Sequence, residues 1–202
     1  MLKTHDYRKK HPEIYLPKTE KLVILELPEL TYVSQRMVTS FNTNWDGRPE
    51  PIDEKWLAWK VVNQIKQITK NELEYKFKLM PPEIIWHEKT NDDKWLVDQM
   101  MLVSDRATED MYDRALNKVE KTLRVELPTI SFVKRPPTLC AQKLHVGHYK
   151  DAEDVFESMK SDLSELGYRP TQPWRAIYLL PAMGCYPAHN SKTVVSVDIE
   201  KI

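Results

Sequence analysis

Glycine is scarce, with four in 202 residues. That leaves little room for loops that cradle phosphate, and neither G-x-G-x-x-G nor G-x-x-x-x-G-K-S/T occurs. An excess of one charge is missing too. Thirty basic residues balance thirty acidic ones. This argues against the broad electrostatic footprint of a nucleic-acid binder and against a polybasic patch for an anionic membrane. Long apolar runs are absent: Leu22–Leu25 falls far short of the ~20 residues of a membrane span. No apolar block follows the basic residues of MLKTHDYRKKHPEIY, so no signal peptide is expected there. The two cysteines, Cys140 and Cys185, have no paired or metal-type spacing. A reducing cytoplasm is the expected setting. No cofactor signature is present.

What is abundant is aromatic. Six tryptophans and nine tyrosines are costly to leave exposed, so several should share a core or line a pocket. A chain of this length buries roughly 70% of its unfolded surface, enough for one large domain.

Along the chain, residues 1–20 are polar, contain Pro12 and Pro17, and read as an arm. Leu22–Leu27 and LTYVSQRMVT (Leu30–Thr39) read as strands, the second with Tyr32, Ser34, Arg36 and Val38 on one side. A loop is expected over 41–51 and a helix from Asp53, with Trp56, Leu57, Trp59, Val61, Ile65 and Ile68 at helical spacing. LEYKFKLM (Leu73–Met80) alternates and predicts a strand; Ile84–Trp86 and Trp95–Val103 predict two more. Ala107–Thr122 reads as a helix with Thr108 near its N-cap. Ile130–Val133 and Leu139–Val146 read as strands, Asp151–Leu166 as a helix stopped by Gly167, and Trp174–Leu180 and Thr193–Ile199 as the last strands.

Strand, helix, strand, strand therefore occurs twice. The expected fold is α+β, a duplicated strand–helix–strand–strand unit in one domain over 1–202. Residues 21–104 form the first repeat, 105–138 a linking helix and strand, and 139–202 the second repeat. The sheet should be antiparallel, with helices on one face and a cleft between the halves.

KLHVGHYKDAEDVF (143–156) holds two histidines three apart. On a strand that spacing sends His145 and His148 to opposite faces, and no cysteine or acid lies at ligand spacing, so no metal site is expected. The segment reads as a strand–turn–helix joint, with Asp151 and Asp154 as a capping pair and Tyr149 turned inward. The acids at 151–157 read as a solvated cap and not as paired catalytic carboxylates.

DYRKKHPEIYLPK (6–18), MPPEIIWHE (80–88), the DDKW turn ending at Trp95, LCAQKLHVGHY (139–149) and WRAIYLLP (174–181) stand in register over essentially the whole chain. Together they resemble the stand-alone GyrI-like small-molecule-binding family. The resemblance implies a cytoplasmic protein with an aromatic-lined cleft for bulky aromatic, amphipathic or cationic drug-like compounds. Related domains are effector-binding domains of regulators, and one branch inhibits gyrase, which makes a protein partner of that kind conceivable. Some stand-alone members resemble hydrolases that open electrophilic cyclopropanes in natural products. The implied ligand-binding residues are Trp86, Trp95, Tyr149 and Tyr178. The family's last motif reads Glu-Ile-Tyr-Leu, whereas this chain reads Ala176-Ile177-Tyr178-Leu179, so the buried acid is missing. Candidate replacements as general acid or base are Glu83 and Asp98. Asp98 interrupts an apolar strand, where a charge needs a partner or water.

Overall fold

In the computed structural model, residues 2–40, 56–92, 94–180 and 188–202 are described. The loop expected over 41–51, the helix start at Asp53, Pro181 and Cys185 lie outside them.

The chain runs β1 (Thr4–His5), α1 (Tyr7–Lys10), α2 (Pro12–Tyr15), β2 (Val23–Leu27), β3 (Leu30–Thr39) and α3 (Ala58–Glu72). It continues with β4 (Lys76–Phe77), β5 (Glu83–Lys89), β6 (Trp95–Leu102), α4 (Glu109–Leu123), β7 (Ile130–Arg135) and β8 (Thr138–Val146). A 3-10 turn at Tyr149–Asp151 leads into α5 (Ala152–Glu165), followed by β9 (Tyr168–Pro170), β10 (Arg175–Leu180) and β11 (Lys192–Lys201).

Eight strands of the main sheet lie in the order β2-β8-β11-β10-β5-β6-β3-β7, every pairing antiparallel. The fold is α+β with one large antiparallel sheet. The order is symmetric about the β10–β5 junction: β8-β11-β10 on one side mirrors β3-β6-β5 on the other. The outermost strands are exchanged. β2 opens the first half of the chain but pairs with β8 of the second, and β7 precedes the second but pairs with β3 of the first.

Residues directly opposite on neighbouring strands share a face. The row Gln35, Gln99, Ile84, Ala176, Val195 therefore marks one face. Gln35 Oε1 accepts the backbone N–H groups of Leu57 and Ala58, which anchors the start of α3 on that face. Ala176 and Val195 pack in one cluster with Ala152, Met159 and Leu163 of α5. Both helices thus lie on the same side, and α4 packs along α3. Thr108 caps α4 by accepting from Met111 N, as the sequence predicts.

The next row, Arg36, Asp98, Ile85, Arg175, Ser196, Gln142, marks the opposite face. Part of it is covered by the N-terminal segment, which is more than an arm. Its polar composition hides Tyr7, Ile14 and Tyr15, all buried. Asp6 caps α1 by accepting from Arg8 N, and Gln142 Nε2 donates to the Glu13 carbonyl.

The strand expected over Leu73–Met80 shrinks to two residues. The last turn of α3 absorbs Leu73, whose N–H bonds the Thr69 carbonyl. Lys76 and Phe77 then pair in parallel with β1. Of the alternating set only Phe77 is buried, while Leu73 and Leu79 are exposed. Alternation without a covering layer does not make a long strand. Trp59, expected on the apolar face of α3, is likewise exposed, with Lys60 over its ring. Among the described residues no helix is long and apolar enough to cross a membrane.

Candidate ligand pocket

Trp86 and Val97 are cross-strand partners on the helix face, and Val97 in turn opposes Met37. The β5–β6 pairing shifts register between Trp86 and Glu88, so Lys89 comes to face Trp95 at the end of the hairpin. Trp174 enters beside them because its carbonyl accepts from Trp86 N at 3.0 Å. The rings then assemble. Trp86 stacks on Trp174 at 5.6 Å and 13°, and meets the edge of Trp95 at 5.4 Å and 83°. Phe156 of α5 stacks on the far side of Trp174 at 5.8 Å. Offset stacks and edge contacts of this kind each add about 0.5–1.5 kcal/mol beyond the area they bury.

Trp86, Trp95, Trp174 and Tyr149 line a pocket on this face, with Ser40 and the charged side chains of Lys89, Lys150 and Glu153. It encloses about 230 Å³, slightly below the roughly 300–1,000 Å³ of pockets that hold drug-sized molecules. Three of the four expected aromatics meet here. The fourth, Tyr178, is buried in the same cluster but is not among the lining side chains. Burial pushes its phenol well above the ordinary range, partly opposed by a hydrogen bond with the Trp86 side chain.

The two expected carboxylates are elsewhere. Glu83 and Asp98 occupy the opposite face of the sheet. Glu83 is fully buried, accepts from Tyr15 Oη at 2.7 Å, and lies 3.2 Å from Arg175 Nη1. Arg175 also donates to Tyr32 Oη and Ser196 Oγ. Burial would lower its pKa, but Tyr32 and Glu83 outweigh that and hold it above the ordinary range. Asp98 takes two bonds of 2.8 Å from Arg36 and one from His87 Nε2. Burial pushes the Asp98 carboxyl up, yet the hydrogen bonds from Arg36 and His87 leave it below the usual value. The odd charge in an apolar strand is thus half of an ion pair.

The pocket residues that sequence reasoning passed over are Ser40, Trp174, Lys89, Lys150 and Glu153. Trp174 opens WRAIYLLP, so its signal was present. Glu153 sits in the first turn of α5, where an acid ordinarily serves the helix dipole. Lys89 carries no sequence signal, because a hairpin-end lysine looks like any surface charge.

The histidine joint resolves locally. His145 Nε2 bonds the His148 carbonyl, and His148 Nδ1 accepts from Lys150 N while its ring stacks on Tyr149. His148 therefore caps the 3-10 turn. Asp151, expected to cap the helix, makes no side-chain cap bond, because the preceding turn is already helical. Among the described residues no group of three His, Cys, Asp or Glu could hold a metal ion.

No family model matches the chain, and no curated protein matches it. Solved structures do. A hydrolase from Listeria innocua is 18% identical with a TM-score of 0.76, over 98% of this chain and 100% of that one. An uncharacterized conserved protein from Listeria innocua is also 18% identical, with a TM-score of 0.78, over 97% and 100%. The fold is shared. The EcmrR C-terminal domain is 14% identical with a TM-score of 0.51, over 90% of this chain and 98% of that one. At these identities the likeness speaks for the fold alone.

Proposed function

We propose that the protein is a GyrI-like binding protein that holds aromatic, amphipathic or cationic drug-like molecules in this pocket, between halves formed by residues 21–104 and 139–202. The observation that carries the reading is the convergence of Trp86, Trp95 and Trp174 with Tyr149 on one concave surface. Flat ring faces suit a flat apolar ligand, and each contributes about 0.5–2 kcal/mol toward a cation placed over it. A cytoplasmic setting goes with this reading.

A thermal-shift screen of planar aromatic compounds tests it. A ligand at 100 times its Kd adds about 2.7 kcal/mol of stability. Trp95→Ala abolishes the shift while the protein stays folded, because Trp95 is only half-buried. Shifts that survive this change would place the ligand elsewhere.

A second reading is a hydrolase of electrophilic, cyclopropane-bearing natural products. It is favoured by one carboxylate and one phenol, Glu153 and Tyr149, facing the same pocket. The roles assigned to Glu83 and Asp98 pass to Glu153 on this reading, since the sheet separates those two from the rings. Incubation with a cyclopropane-bearing alkylator then yields the ring-opened, water-added product by mass, and Glu153→Gln slows its formation by about 100-fold or more. An unchanged rate in that variant removes Glu153 from the chemistry.

A further inference from the structure

One lining cation of the pocket sits on an aromatic ring. Lys89 is placed by register, opposite Trp95 at the end of the β5–β6 hairpin. Its ammonium lies 5.1 Å from the centre of the Trp95 ring. Among the described residues Lys89 has no carboxylate partner within ion-pair distance. Lys150 also lines the pocket, and the described lining side chains include one carboxylate, Glu153. Ala176, fully buried in the cluster with Trp86 and Trp174, supplies no acid.

An aromatic cation entering this pocket would meet Lys89 at the ring it needs. The cation–π position on Trp95 is already taken by the protein's own ammonium, and a second positive charge there is repelled. An aromatic anion meets the opposite situation. Its ring packs on the tryptophans and its negative end reaches an ammonium held in place by an aromatic face. Charge-assisted hydrogen bonds from such a donor are about twice as strong as neutral ones.

We propose that the pocket selects aromatic carboxylates over aromatic cations, with the ring against Trp86, Trp95 and Trp174 and the carboxylate paired to Lys89. The inference rests on the pocket being the ligand site, and it narrows the ligand class.

Three matched probes test it by calorimetric titration: 2-naphthoate, 2-naphthylmethylammonium and the neutral 2-naphthylmethanol. The carboxylate binds about tenfold or more tightly than the ammonium at low salt, and the gap narrows as salt rises. Lys89→Met lowers carboxylate affinity about tenfold more than it lowers alcohol affinity, and Lys89→Glu reverses the order of the two ions. Binding of the alcohol with no preference between the ions overturns this inference alone. Binding of none of the three overturns the pocket reading as well. Equal losses of carboxylate and alcohol in Lys89→Met would give that lysine a packing role and would also sink the charge assignment.

Discussion

Arg175→Met lowers the unfolding free energy by about 3–5 kcal/mol, read as a lower urea midpoint with an unchanged slope. For a chain of this size that corresponds to roughly 6–20 °C in Tm. The loss does not measure the worth of the ion pair. It measures what is left behind. Glu83 is fully buried, and without Arg175 its carboxylate keeps the hydrogen bond from Tyr15 but loses its counter-charge. Tyr32 and Ser196 lose the guanidinium that joins them across the sheet. Desolvating one unpaired charge costs more than desolvating a matched pair. The double change Glu83→Leu with Arg175→Met therefore recovers most of the single-mutant loss. If the double variant is as unstable as Arg175→Met, the penalty comes from shape and not from charge.

Trp174→Ala costs a similar amount, about 3–5 kcal/mol, by a different mechanism. Trp174 is one residue away in sequence but serves the other side of the sheet. Its ring lies between Phe156 of α5 and Trp86 of β5 and is 7% exposed. Removing it opens a cavity where the helix of one half meets the strands of the other. It also takes away one wall of the pocket. Urea unfolding gives the stability term, and titration with a planar aromatic compound gives the binding term. Trp174→Phe separates the two, since it keeps a ring in the stack and retains most of the stability. A Trp174→Ala protein that binds as well as the parent would show that the stack is core packing only.

Much of the architecture is legible in the sequence because one face of the sheet is consistently buried. Alternation sets β3 and β11, and an apolar run sets β6, to within a residue or two; the helix expected over Ala107–Thr122 is α4, which buries Met111, Tyr112, Ala115 and Val119. The failures share a cause. Local pattern says nothing about which surface a distant segment covers. The N-terminal segment reads as polar, yet Tyr15 completes a buried polar cluster with Glu83, 68 residues away. LEYKFKLM alternates, but no layer covers Leu73 or Leu79. The aromatic pocket is partly legible for the same reason. Trp86 and Trp95 stand on strands whose faces can be read, whereas Trp174 and Lys89 join them through a backbone bond and a register shift. The acids illustrate the converse. Glu83 and Trp86 are three residues apart, and that odd spacing alone places them on opposite faces.

The exchange of the outer strands bears on how the molecule is made. β2 must wait for β8, more than a hundred residues downstream, before its hydrogen-bonding groups are satisfied. During synthesis the first unit emerges with β3 lacking its β7 neighbour and β2 lacking its β8 partner. Both are open edges of the kind that recruit foreign strands. Closure over such distances is slow relative to helix formation, so the aggregation-exposed interval ends only when the second unit has left the ribosome. The same clasp gives the finished protein cooperativity. Neither half can fray outward without first surrendering a strand to the other, and both core clusters draw residues from both halves, so the two should unfold together although each carries its own helix.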